Sequence, residues 1–130
     1  MLHPQHFEVN EAWIAFRLNG APIRTECDGD FNCIALMDAA SCFILASELI
    51  PVASAEPTGV QLWRLLKKAQ SHKQQLPRTL FVPRGDAAEL MTRVARDRDI
   101  DVVRVPESEL LTFIGEARQG FAERFERAAP

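Results

Sequence analysis

The chain has 130 residues, of which 47% are hydrophobic and 25% charged, and its formal net charge is −3 at pH 7. These values predict one globular domain that buries a core without disulfides or structural metals. The acidic balance argues against bulk electrostatic binding to nucleic acid or to an anionic membrane. No apolar run reaches the ~18 residues that a membrane span needs, so we expect a cytoplasmic protein with no membrane partner.

The cysteines favour the same location. Cys27, Cys33 and Cys42 are an odd number at irregular spacing, which indicates reduced thiols that act as small apolar residues. A bridge between Cys27 and Cys33 stays open, because sequence alone does not establish pairing.

The chain begins with a polar segment, residues 1–10, that we expect to be a flexible tail before a single domain over residues 11–127. His3 and His6 are three residues apart, a spacing that allows a shared metal ion. Neither has a nearby cysteine or an obvious carboxylate partner, so a mobile tail is the preferred interpretation and no metal site is predicted.

Strand signals dominate the first half of the domain. Residues 13–18 are aromatic and branched, and the Asn-Gly pair that follows is a strong hairpin signal, so residues 23–26 are expected to pair back on them as a short strand. The nearly continuous apolar stretch 33–50 predicts two strands covered on both faces. They reverse at residues 38–41, where an Asp and a Ser can bond free backbone N–H groups.

Helices and strands then alternate. Apolar residues at helical spacing around Leu65 predict a first helix that ends before Pro77. Residues 79–82 predict a buried strand, and Asp86 with Glu89 predicts the capped start of a second helix. Residues 100–105 predict a further strand. The last helix is expected to start near Glu107 or Ser108, and Gly120 is expected to bend it or end it early.

In its main elements the chain therefore has the order strand, strand, strand, helix, strand, helix, strand, helix. Long helical connections between strands imply right-handed parallel crossovers. The predicted fold class is α/β, with a mixed five-stranded sheet and helices on both faces.

This order resembles the RNase H-like fold, and the closest similarity is to the catalytic core of retroviral-type integrases and insertion-sequence transposases. Its most distinctive part is residues 34–41, Ile-Ala-Leu-Met-Asp-Ala-Ala-Ser, where an apolar strand ends in Asp, two residues and Ser. Residues 43–46 then resemble the third strand of those cores, and residues 76–81 resemble the entry to their fourth strand. The resemblance covers about residues 12–120.

The resemblance also implies where catalytic acids belong. Integrase cores hold two Mg²⁺ ions with a carboxylate triad. The first Asp lies within strand one, where residues 13–16 contain no acid. The second lies at the end of strand four, where Asp86 comes three or four residues late. The third lies on the final helix, where Glu107, Glu109 and Glu116 are available. With the first position empty, we predict no catalytic residue, no metal and no cofactor.

Two surfaces remain as candidate sites. The first is a set of basic residues that either forms a solvated face or binds nucleic acid or another anion, and its members are Arg64, Lys67, Lys68, Lys73, Arg78 and Arg84. No aromatic residues are interleaved with them, which weakens a single-strand stacking model. The second is the set of large aromatic residues on the last helix, Phe113, Phe121 and Phe125. These either pack within the chain or cover a protein partner or a second copy.

Cys42 beside Ser41 is a further candidate, as a nucleophile with His72 as its base, although nothing in the sequence places the two together. The preferred hypothesis is a non-catalytic RNase H-like domain that acts as a protein interaction or regulatory module. The alternatives are a nucleic-acid-binding protein that uses the basic residues and a degenerate nuclease or transposase-like enzyme.

Overall fold

The computed structural model describes residues 2–19, 23–24, 29–51, 59–84 and 88–126, without the side chains of residues 73, 88–90, 125 and 126. In these ranges six strands form one mixed sheet. They are β1 (Ala12–Arg17), β2 (Ile23–Arg24), β3 (Asp30–Asp38), β4 (Ile44–Pro51), β5 (Thr79–Pro83) and β6 (Asp101–Val105). The helices are α1 (Gly59–Lys73), α2 (Ala88–Arg96) and α3 (Leu111–Phe121). A 3₁₀ turn over Glu107–Leu110 precedes α3, and a π-helical turn over Ala122–Glu126 follows it.

The sheet is antiparallel on one side and parallel on the other. β3 pairs antiparallel with β1, β2 and β4, whereas β1 with β5 and β5 with β6 are parallel. The predicted mixed sheet is confirmed, and the two-residue β2 is its sixth strand.

The predicted hairpin between residues 13–18 and 23–26 is wrong. β1 pairs with β3 over five positions, from Trp13 opposite Asp38 to Arg17 opposite Ile34. β2 pairs with the start of β3 instead. The physical reason is burial: β1 has apolar neighbours on both faces, and the nine-residue β3 satisfies far more of its backbone than a two-residue strand does.

Two apolar cores lie on opposite faces of the sheet, because neighbouring side chains of a strand point to opposite faces. On β1, Trp13 and Ala15 face α1 and α2, whereas Ile14 and Phe16 face α3. The first core is completed by the α1 residues Leu62, Leu65, Leu66 and Ala69 and the α2 residues Met91, Val94 and Ala95. The second is completed by Leu110, Phe113 and Ile114. Helices therefore cover both faces, as predicted.

β4 is less covered than the apolar stretch 33–50 predicts. Of its eight residues only Leu45 and Ile50 are buried, and Leu49 is 53% exposed. On the face towards α1, Glu48 accepts hydrogen bonds from Arg64 at 3.0 Å and Lys68 at 2.7 Å. β3 is thus the covered strand of this hairpin, and β4 has one accessible face.

The segment expected to be a flexible tail packs against the domain over residues 7–10. The Phe7 ring contacts Phe81 and Phe113, with centroid separations of 5.6 and 6.2 Å. Asn10 has a positive φ of 67° and is buried. The segment differs from the expectation because Phe7 completes the core under α3, a contact that polar neighbours in the sequence conceal.

Candidate functional site

Asp38, the last residue of β3, closes the turn that the sequence singled out. Its Oδ2 accepts hydrogen bonds from the Ser41 N–H at 2.9 Å and from the Ser41 hydroxyl at 2.7 Å. Its Oδ1 accepts the Asn10 N–H at 2.6 Å, and Asn10 in turn accepts the Trp13 indole N–H at 2.7 Å. The predicted bonding within the turn is present. The link to Asn10 is new, and it joins the turn to the segment before β1.

These bonds make Asp38 a structural carboxylate. The residue is fully buried, and both of its oxygens are occupied by donors of the chain itself. A carboxylate accepting backbone N–H groups in this way stabilises the loop that surrounds it. Asp38 therefore has no oxygen directed to a metal ion or substrate.

Cys42 follows this turn with a positive φ of 58°. Burial raises the pKa of its thiol, and the negative charges of Asp38 and Glu116 raise it further. The His72 ring does lie near this turn, where it stacks on Phe43 with centroids 5.4 Å apart. A raised pKa keeps the thiol protonated, which is the opposite of what a nucleophile needs. Cys33 and Cys42 are both free thiols, and Cys27 lies outside the described residues.

The carboxyl end of β1 holds a different group of side chains. Phe16 is buried on the face covered by α3. The guanidinium carbon of Arg118 lies 6.0 Å from the centre of the Phe16 ring. Arg118 also donates to the Arg17 carbonyl oxygen at 3.0 Å and forms a short ion pair with Glu107. A ring and a paired arginine thus occupy this corner between β1 and the last helix.

Asp38 lies far from this corner, because it is opposite Trp13 at the amino end of β1. Trp13 is in register with Leu80, and Pro83 lies three residues further along β5, roughly 10 Å away at the usual strand rise. The chain after Pro83 therefore starts from the opposite end of the sheet. Asp86 and the predicted cap of the second helix lie outside the described residues. Among the described residues, no three His, Cys, Asp or Glu side chains are grouped closely enough to hold a metal ion.

The predicted basic residues are spread over α1 and the two ends of β5. Arg64, Lys67 and Lys68 are exposed on α1, and Glu48 forms ion pairs with Arg64 and Lys68. Arg78 and Arg84 flank β5 at opposite ends, six residues apart in sequence, which is roughly 20 Å along an extended strand. The other five residues therefore do not form one compact patch, and the side chain of Lys73 lies outside the described part.

The predicted aromatic surface of the last helix is largely core. Phe113 is 2% exposed and belongs to the core under α3, so it is not accessible to a partner. Phe121 is half-buried against the same core, and the Phe125 side chain is outside the described set. The accessible apolar residue of α3 is Leu111, which is 50% exposed. The apolar pattern of the last helix in the sequence does not tell the buried Phe113 from the exposed Leu111, because both are large apolar residues.

A groove of about 500 Å³ lies between the start of β4 and the first half of α3. Met37, Phe43, Ile44, Phe113 and Glu116 are among its lining residues. Phe43 is held there by its stacking on His72. The parts of this groove come from segments about 70 residues apart, so no spacing rule in the sequence indicates it.

Comparisons with known proteins agree with this fold. No family model matches the chain, and no curated protein matches it by sequence. A chain of the simian T-cell lymphotropic virus intasome, solved in complex with PP2A regulatory subunit B56 gamma, matches with a TM-score of 0.62 and 13% identity over 88% of this chain and 39% of that chain. The HTLV-2 integrase catalytic core domain in complex with magnesium matches with a TM-score of 0.54 and 11% identity, over 87% and 84%. The catalytic core domain of BIV integrase matches with a TM-score of 0.48 and 15% identity, over 91% of this chain and 65% of that chain.

The chain thus has the RNase H-like fold of retroviral integrase catalytic cores, which confirms the predicted resemblance. It spans 39% of the simian viral chain that it matches. At 11 and 13% identity, the two matches establish the fold alone, so the function has to be inferred from the residues of this chain. No helix in the described part of the chain is long and apolar enough to span a membrane.

Proposed function

We propose that this chain is a non-catalytic RNase H-like domain that acts as a protein interaction or regulatory module. The observation that carries the proposal is the corner between β1 and α3. The integrase-like triad would need an acid on the face of β1 towards the last helix, and the described residues there are Ala12, Ile14 and Phe16.

The neighbouring charges support the same proposal. Two-metal catalysis needs carboxylates that surround both ions and neutralise their charge. Here the Phe16 ring lies beside the guanidinium group of Arg118, which already pairs with Glu107. Asp38, the best-marked acid in the sequence, is bonded elsewhere. These residues suit a rigid scaffold better than a phosphodiester-cleaving centre.

Accessible apolar side chains give the interaction half of the proposal its basis. Phe43 in the turn before β4, Leu49 on β4 and Leu111 on α3 are each at least half exposed. Exposed apolar groups next to a groove are typical of surfaces that bind other proteins. One structural neighbour, the simian viral intasome, was itself solved with a regulatory protein subunit.

A cleavage assay tests the catalytic half. The purified chain is incubated with Mg²⁺ or Mn²⁺ and duplex DNA, single-stranded DNA or RNA, and we expect no cleavage beyond that of the buffer. The matched variant is Glu107→Gln, which removes the candidate acid at this corner without changing its size. Metal-dependent cleavage that this variant abolishes would overturn the proposal and favour a degenerate nuclease or transposase-like enzyme.

Nucleic-acid binding through α1 is the second candidate, and one observation favours it. His72 follows Lys68 by one turn of α1 and stacks on Phe43, and this aromatic pair beside a basic residue supports the candidate. Binding of this kind weakens steeply as salt is added, because bound phosphates release counterions.

The test of the second candidate is a fluorescence-anisotropy titration with labelled single-stranded DNA at low and high salt. The double variant Lys67→Glu with Lys68→Glu should weaken binding if α1 is the site, whereas Arg96→Glu on α2 is the control for net charge. No binding at low salt would dispose of this candidate.

A further inference from the structure

The groove beside the start of β4 combines an apolar base with a charged rim. Met37 and Phe113 are buried side chains in its wall, and Ile44 is half-buried. Phe43 is 52% exposed, and Glu116 is exposed on α3. A guest that fits this groove therefore presents an apolar stem to the base and a polar or charged end to the rim.

The sign of the rim is negative. The Glu116 carboxylate makes no ion pair with the side chains that the structure describes. The Cys42 thiol lines the same groove, and after burial the largest influences that raise its pKa are the charges of Asp38 and Glu116. The exposed Glu116 carboxylate at the rim therefore favours a cationic guest.

We propose that this groove binds the side chain of a lysine or arginine presented by a partner protein. The methylene stem packs on the half-buried side chains of Ile44 and Ala117, as long basic side chains do on apolar surfaces. The charged end lies between the Glu116 carboxylate and the Phe43 ring, whose electron-rich face attracts cations. This inference depends on the proposed interaction function and adds the chemistry of the partner.

The same features disfavour other guests. Phosphate and carboxylate groups are repelled by Glu116, so a nucleic acid or an acidic peptide is poorly matched to this groove. A purely apolar side chain fills the base but leaves the carboxylate without a partner. Stacking on His72 holds the Phe43 ring at the rim before any guest binds, which reduces the entropy that binding has to offset.

Matched small probes test the charge of the guest directly. The isotope-labelled chain is titrated with hexylammonium, hexanol and hexanoate, which share one stem, and the amide shifts of Phe43, Ile44 and Ala117 are followed by NMR. We expect saturable shifts with hexylammonium. The affinity for each of the other two probes should be lower by a factor of about five or more, in line with the loss of one cation–π contact and one ion pair. Equal binding of hexylammonium and hexanoate would overturn the inference.

Variants then assign the contacts. Glu116→Gln should lower the affinity for hexylammonium to that for hexanol. Phe43→Leu should also lower the affinity for hexylammonium, while hexanol, which has the same stem, still binds. Glu109→Gln removes the same charge from the turn before α3, outside the groove, and should change nothing. An unchanged affinity in Glu116→Gln would also overturn the inference.

A peptide arm distinguishes a partner protein from a free organic cation. An acetylated glycine peptide with one central lysine should shift the same amides, and its norleucine counterpart should not. If hexylammonium binds and the lysine peptide does not, the docking of a partner is overturned. These readouts are independent of nuclease activity, so their failure leaves the non-catalytic proposal intact, whereas metal-dependent cleavage would overturn only that proposal.

Discussion

At the amino end of β1, Asp38 is fully buried and accepts three hydrogen bonds from Asn10 and Ser41. At the carboxyl end, Glu107 is half exposed and pairs with Arg118 above Phe16. The first carboxylate joins the turn after β3 to the segment before β1, whereas the second pairs with a cation at the surface. The difference shows that an acid marked by its sequence neighbours can be structural, while the expected catalytic corner contains a ring and an ion pair.

The largest effect is expected for Asp38→Asn, which would break the amino end of this comparison. The amide cannot accept all three hydrogen bonds and directs its own N–H groups at donors, so we expect a loss of roughly 3 kcal/mol in the free energy of unfolding. Urea denaturation measures it. Asp101→Asn, on an exposed residue at the start of β6, is the control and should stay within about 0.5 kcal/mol. A loss this small for Asp38→Asn would mean that the network does not stabilise the fold.

Phe7→Ala tests the segment that Asp38 fixes. The Phe7 ring contacts Phe81 and Phe113 but is only half-buried. We expect a loss of about 2 kcal/mol, below the 3–5 kcal/mol of a fully buried ring. Val9→Ala is the matched control, because Val9 is 60% exposed. Equal stability of both variants in thermal or urea unfolding would indicate that residues 7–10 do not pack.

Glu48 lies between the two extremes, since its side chain is 12% exposed but pairs with exposed cations. Burial raises the pKa of this carboxyl, and hydrogen bonds and charges of Lys68 and Arg64 outweigh burial and lower it. A lowered pKa contributes stability above the ordinary Glu value of about 4.3, and the contribution is lost as pH falls through the folded value. We therefore expect Glu48→Gln to cost about 1 kcal/mol near neutral pH.

The measurement for Glu48 is the stability difference between the two proteins as a function of pH. It should shrink as the medium is acidified below the ordinary Glu pKa and disappear in strong acid. A difference that is constant with pH would show that shape, and not charge, accounts for the effect.

Glu107→Gln should have the smallest effect, which sharpens the carboxyl end of the comparison. Glu107 is 49% exposed, and ion pairs at such positions contribute about 0.5 kcal/mol or less. We expect a small loss in urea denaturation that added salt reduces further. A loss as large as that of Asp38→Asn would mean that the ion pair with Arg118 is a structural support.

Much of the fold is local in origin and was predictable. Strand periodicity, the Asp38 and Ser41 turn and the apolar stripe of α1 each depend on neighbours in sequence. The pairing of β1 was mispredicted because the Asn-Gly signal is local, whereas burial on both faces of β1 selects the distant β3. Phe113 was offered as an interface because a helical stripe does not reveal which aromatic residue meets Phe7.

The site was less predictable than the fold. The absence of an acid on β1 was visible in the sequence, but the approach of Arg118 to Phe16 spans about 100 residues and follows from the packing of α3. The groove that joins Phe43 to Glu116 is equally non-local. Sequence patterns specify which residues are available, and tertiary packing decides which of them meet.

Manganese-induced line broadening of the isotope-labelled chain tests the central claim most directly. Mn²⁺ bound at an integrase-like centre broadens the amides close to it, including those of Phe16, Val82 and Glu107. We expect no selective, saturable broadening of these amides when Mn²⁺ is added at concentrations comparable to that of the protein. Saturable broadening of all three, removed by excess Mg²⁺, would contradict the claim that this RNase H-like domain is non-catalytic.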